Sequence, residues 1–163
     1  MIIGNRLCKA LDGMTIDVDG KTVSVQNNHH DQDALDKFIS ECDRQGAKKF
    51  PLIFVVSNRV QDLRSRRQST RSIVVMTNTN PDWLSKARTI NTFENIIEPI
   101  YNKLIPIVER NFQIVNNNLD YVDRANFGIV NGEISKVKSD KSAVTDYIDA
   151  RIINLTLQYQ EGC

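Results

Sequence analysis

The arrangement of apolar and polar positions sorts much of this chain into strands and helices. Two almost uninterrupted apolar runs, residues 51–56 and 72–77, lack a wet face. Runs of that kind predict strands covered on both sides. The polar stretch between them, residues 58–71, reads as the long connecting loop of a hairpin. Over residues 88–110, Ile90, Phe93, Ile97, Ile100, Leu104 and Ile107 recur at spacings of three and four, which predicts an amphipathic helix lying across the sheet. Ile3, Leu7 and Leu11 predict a short helix over residues 2–12. Ile16 and Val18, then Val23 and Val25, alternate with polar residues around Asp19-Gly20, a hairpin with a type I′ turn.

The remaining segments follow from punctuation. Residues 27–30, Asn-Asn-His-His, read as a polar break. Asp31 then caps a helix carrying Ala34, Leu35, Phe38, Ile39 and Cys42, which Gly46 stops. Asp82 or Asn80 caps a brief turn bearing Trp83 and Leu84. Pro99 and Pro106 stand one heptad apart in the long helix, and an internal proline costs about 3 kcal/mol, so that helix is expected to bend or break. Leu119 and Tyr121 suggest a short strand, and residues 128–142 a polar loop. Ile153, Leu155, Leu157 and Tyr159 alternate with Asn154, Thr156, Gln158 and Gln160, a half-buried antiparallel strand at the end.

Composition narrows the class. A chain of 163 residues, 40% hydrophobic and 25% charged, suits one folded domain over residues 1–163. No apolar run reaches the 18 or so residues of a membrane helix, and the N-terminus lacks a signal-peptide core, so a cytoplasmic chain is expected. Cys8, Cys42 and Cys163 are scattered without a CxxC pair, which predicts free thiols and no zinc site.

The search for reactive groups leaves catalytic and metal sites empty. His29, His30, Asp31 and Asp33 form the one cluster of ligand-type residues, but adjacent histidines diverge and the acids serve as helix caps. Asp17 and Asp19 are explained by turn chemistry. No phosphate-binding glycine loop or nucleophile elbow occurs. The expectation is a protein that is not an enzyme and has no cofactor.

Charge is the informative feature. The chain carries a formal +1. Residues 58–71 hold Arg59, Arg64, Arg66, Arg67 and Arg71 against Asp62, a local +4 that leaves −3 for the remainder. Such asymmetry marks a contact surface. Three uses stay open: a solvated hairpin tip, nucleic-acid phosphates, or an acidic face of a neighbouring copy or partner, reached through arginine's forked donors. The last is preferred. The segment lacks an aromatic residue for base stacking.

A helix leading to "KKFPLIFVV", the return "RSIVVMTNTNP", the helix "RTINTFENIIEPIYNKLIPIVERN" and the final "DYIDARIINLTLQY" together resemble the tail-completion, tail-terminator and head–tail joining proteins of tailed bacteriophages, particularly those of Bacteroides-like hosts. The resemblance covers residues 31–159, with residues 1–30 an N-terminal helix and hairpin elaboration. It implies an α+β fold: an antiparallel sheet against a long proline-bent helix and a second helix, with a long hairpin loop. It implies a virion protein of the neck or tail end, assembled in the host bacterial cytoplasm as a hexameric or dodecameric ring around the DNA channel. Its partners would be portal or connector and tail proteins, with non-specific DNA contact possible and no membrane. The contrasting expectation is a small nucleic-acid-binding regulator using the arginine-rich loop.

Overall fold

The computed structural model describes the chain apart from residues 1, 31–33, 64–65, 116–119, 131–132, 137–143 and 161–163. The fold is α+β, built on a mixed seven-stranded sheet. Helix α1 (Ile2–Leu11) buries Ile3, Leu7 and Leu11, the predicted stripe. The hairpin β1 (Thr15–Val18) and β2 (Lys21–Ser24) follows, turning through Asp19 at φ 50° and Gly20 at φ 75°. Both left-handed, these match the type I′ geometry that suits twisted strands.

Strand β3 (Gln26–His30) replaces the expected polar break. It pairs in parallel with β4 (Leu52–Leu63), Gln26 opposite Leu52 and His30 opposite Val56. Polar side chains are tolerated there because β3 is an edge strand, paired with β4 on one side only. The two strands are joined across α2 (Ala34–Gln45), as a parallel pair requires. Gly46, at φ 64°, provides the stop expected of it. Asp31, the expected cap, lies outside the described residues.

The expected loop over residues 58–71 is mostly strand. β4 and β5 (Arg66–Asn78) stay paired from Leu52–Met76 to Leu63–Arg66, with one irregularity between Ser57 and Arg59. The reason lies in β9 (Val144–Gln160), which runs beside β5 over its whole length, from Asn78–Ile148 to Arg66–Gln160. A third strand supplies hydrogen bonds that an isolated polar hairpin would lack. β9 thus begins before its alternating part. Its other edge carries β6 (Gln113–Ile114) and β7 (Tyr121–Val130). β7 and β8 (Glu133–Lys136) form a hairpin where a loop was expected from residue 128 onward. The sheet order is β3-β4-β5-β9-β7-β8, antiparallel except for the β3–β4 pair.

The long helix, expected to bend or break at its prolines, runs without a non-helical residue from Ser85 to Asn111 and changes its winding instead. α3 (Ser85–Arg88) passes into a π-helical segment (Thr89–Ile97), then α4 (Glu98–Asn111). Glu98 N–H donates to the Phe93 carbonyl, five residues back. Pro99 therefore falls in the first turn of α4, where its missing N–H costs little. The wider winding also turns the stripe: Ile97, Ile100, Leu104 and Val108 are buried, whereas Ile107 is half-buried and Ile90 is 39% exposed. Pro106 sits inside α4 on its exposed side.

The sheet is covered on both faces. On one, α1, the β1–β2 hairpin and α4 enclose Ile53, Val55, Ile73, Val75, Ile153 and Leu155. On the other, Leu35 and Ile39 of α2 cover Leu52, Phe54, Val74, Met76 and Ala150. Lys49 pins the end of this second layer, 2.7 Å from Asp43 and 2.9 Å from Asp146. Although burial opposes its charge, hydrogen bonds to those two acids hold the Lys49 ammonium above its ordinary pKa.

Candidate contact surface

The five arginines do not form one cluster. Arg59 stands opposite Thr70, Arg66 opposite Leu63 and Gln160, and Arg67 opposite Asp62 and Tyr159. Alternation along a strand sends successive residues to opposite sides. Arg59 and Arg66 therefore share the α2 side by backbone register, and Arg67 and Arg71 the α1 side. Arg64 lies outside the described residues.

Arg71 is a body residue, 2% exposed, in register with Ser57 and Leu155. Burial lowers its pKa, with the nearby Cys8 thiol of α1 opposing that shift. Burial in turn pushes the Cys8 thiol up to about 11, Asp12 adding to the rise and Arg71 working against it. In this chain Arg71 lies beneath α1 rather than at the hairpin end.

Two buried ionic groups escaped the reading of the sequence. Asp149 on β9 is wholly buried, its Oδ2 2.6 Å from the Thr92 hydroxyl and its Oδ1 3.5 Å from Arg88 Nε. The Thr92 hydroxyl also lies 2.7 Å from the Arg88 carbonyl, so its single proton serves two acceptors. Arg88 Nη2 donates to the Asn80 and Pro81 carbonyls. These contacts fasten the start of the π segment to the sheet. Asn80 also orders the preceding turn: its side-chain oxygen accepts from Asp82 N–H and its carbonyl from Trp83 N–H, while Leu84 is 82% exposed.

Two residues along β9, Arg151 donates from Nε and Nη2 to both oxygens of Asp123, and from Nη1 to Glu98. The Tyr121 and Tyr101 rings flank it, their centroids 3.9 Å and 4.9 Å from its Cζ. Burial works against its charge, but the bonds to Asp123 and Glu98 raise its pKa above the ordinary range. Such a saturated cation is a structural tie between β7, β9 and α4. The available signal was parity: Asp149 and Arg151 interrupt the inward row that continues as Ile153, Leu155 and Leu157.

Of the ligand-type cluster His29, His30, Asp31 and Asp33, the His29 side chain lies among the described residues. His29 lies on β3 beside Asn5 Oδ1, and a Cβ added at Gly4 would meet its ring at 3.1 Å, which fits a packing role between α1 and β3. Asp31 and Asp33 lie outside the described residues. Asp17 accepts from the Thr22 hydroxyl across the β1–β2 hairpin, as turn chemistry suggests. Among the described residues no group of three or more His, Cys, Asp or Glu side chains could hold a metal ion. No helix among them is long and apolar enough to cross a membrane.

What remains is a surface. Beyond α2, strands β4, β5 and β9 continue side by side, and Ser72, Asn154, Thr156 and Gln158 form polar rows on that side. Ser72 donates to Asn154 at 2.7 Å, and the Thr70 and Thr156 hydroxyls are 3.4 Å apart. Backbone pairing on both edges of β5 continues outward to Arg66. No protein-family model and no curated protein sequence matches this chain.

Proposed function

We propose that the chain is a structural virion protein of a tailed bacteriophage, forming a homo-oligomeric ring at the head–tail connector or tail end, around the DNA channel. The observation that carries this reading is the β4–β5 hairpin, paired along β9 as far as Arg66–Gln160, with Arg59, Arg66 and Arg67 on its outer part by register. With Arg71 in the body, a basic hairpin of net +3 over residues 58–70 beside a remainder of net −2 provides two unlike surfaces. A ring closes through that kind of heterologous contact, in which one patch meets a different patch on the next copy. Reaction chemistry has no part in this reading. The protein acts by joining portal or connector to tail.

Virion composition tests it. Mass spectrometry of purified particles is expected to find the 18.6 kDa chain in six or twelve copies relative to the portal, and its absence from particles ends the proposal. Light scattering of the purified chain with its neck partners is expected to show the same stoichiometry. Arg59→Glu together with Arg67→Glu is expected to lower ring formation without unfolding the monomer.

A further inference from the structure

The composite helix carries a different surface at each end. At its start stands Leu84, 82% exposed, the most open of the large apolar side chains among the described residues. A lone exposed leucine is ordinary, but this one is held on a fixed turn. Asn80 accepts from Asp82 N–H at 2.9 Å and from Trp83 N–H at 3.1 Å, and the Leu84 carbonyl accepts from Arg88 N–H at 3.0 Å. Arg88 Nη2 closes the turn on the Asn80 and Pro81 carbonyls. A side chain presented on a turn already ordered loses little freedom when a partner covers it.

Toward the other end, the last turn of α1 and the start of β1 leave a groove of about 440 Å³ against α4. Ala10, Leu11, Met14, Pro106 and Ile107 give it an apolar lining. Its charged residues are Lys103 and Arg110 against one acid, Asp12. Lys103 also donates to the Thr15 carbonyl at 2.7 Å, which ties β1 to α4 across the groove. An apolar groove with a cationic excess suits an apolar side chain that arrives beside a carboxylate. Residues 80–84, Asn-Pro-Asp-Trp-Leu, have that composition. Asp82 is exposed two residues before Leu84, and Lys86, exposed two residues after it, offers a counterpart to Asp12.

We infer that the turn Pro81–Leu84 of one copy seats in the α1–α4 groove of the next, with Leu84 on the apolar lining and Asp82 toward Lys103 and Arg110. Leu84 and Pro106 stand roughly 30 Å apart along one helix, at about 1.5 Å per residue, so turn and groove do not meet within a copy. Each copy offers its turn to one neighbour and its groove to another, the head-to-tail arrangement that builds rings and filaments. The inference rests on the ring reading above and places a contact outside the basic segment 58–71. The two fail separately. Absence from particles ends the virion reading and leaves this contact, and loss of the contact leaves the virion reading.

Analytical ultracentrifugation of the purified chain tests it, with two variants that each lose one surface. L84D removes the apolar side chain and keeps a good cap at the start of α3. N102W with R110D fills the groove from its rim and reverses its charge. All three positions are exposed, so both variants are expected to keep the wild-type circular dichroism spectrum. The wild type is expected to associate beyond two copies. Each variant alone is expected to stay monomeric, and an equimolar mixture to form a dimer that grows no further, because one intact turn meets one intact groove. L84A, the milder change, is expected to weaken association by about ten- to a hundredfold, the scale of one buried leucine. The inference is overturned by a monomeric wild type, by a wild type that stops at two copies, by wild-type association in either variant, or by a mixture that stays monomeric.

Discussion

The Arg151 guanidinium carbon stands 3.9 Å from the centroid of the Tyr121 ring, joining a buried strand to an exposed aromatic on its neighbour. Arg151 is 4% exposed, whereas its acidic partners Glu98 and Asp123 keep 44% and 37% of their side-chain surface. Those acids can return to water if Arg151 is removed, which softens the loss. R151A is expected to destabilise the fold by about 2–4 kcal/mol, toward the lower end of broken buried pairs. R151M, which keeps the aliphatic stem between the two tyrosines, is expected to cost less. Urea unfolding followed by circular dichroism measures both, and equal costs would show that the charge rather than packing dominates.

Asp149 differs because it has no access to water. D149A removes a wholly buried carboxylate from Thr92 and Arg88, and about 3–5 kcal/mol is expected, the scale for stranding a buried charge. T92V removes one donor and is expected to cost about 1–3 kcal/mol. The double variant is expected to cost less than the two together, since the residues share one interaction. Hydrogen exchange is expected to be faster within Thr89–Ile97 in either single variant. Unchanged exchange there would separate the Asp149 contacts from the π winding.

The burial along the composite helix predicts a contrast between residues that look alike in sequence. L104A opens a cavity in the α1-side core and is expected to cost about 2–5 kcal/mol. I90A, at 39% exposure in the π segment, is expected to stay within about 0.5 kcal/mol. Chemical denaturation of the two variants decides it. A large loss in I90A would mean that the stripe follows ordinary helical spacing after all.

Burial first, then Asp12, raises the Cys8 thiol to about 11. The folded chain therefore holds the Cys8 proton more tightly than the unfolded chain. This contribution to stability is intact below about pH 9 and is lost as the pH climbs toward 11. The urea midpoint is expected to fall over that window in the wild type and to fall less in C8A. At pH 8 iodoacetamide is expected to modify Cys8 slowly in the folded protein and rapidly after unfolding.

Much of the body was legible because single elements state their own burial. The spacing of Ile3, Leu7 and Leu11, the left-handed pair Asp19-Gly20 and the stop at Gly46 are local signals, and each produced its element. Residues 58–71 misled because a polar, arginine-rich stretch has no strand signal of its own. Its conformation depends on β9, about 90 residues later in the chain, to complete the ladder. Residues 27–30 misled for the same reason, their pairing partner being β4.

By itself the sequence determined which segments had to be buried, the breaks between them and the excess of positive charge in one segment. Those follow from side-chain hydropathy, backbone preference and a count of charges. Only the tertiary structure decided how the charges are divided. Strand register gave Arg59 and Arg66 positions on one face and Arg67 a position on the other, placed Arg71 under α1, and set Asp149 and Arg151 against groups from distant elements. A strand has two sides, and which neighbour it meets on each is fixed by long-range pairing.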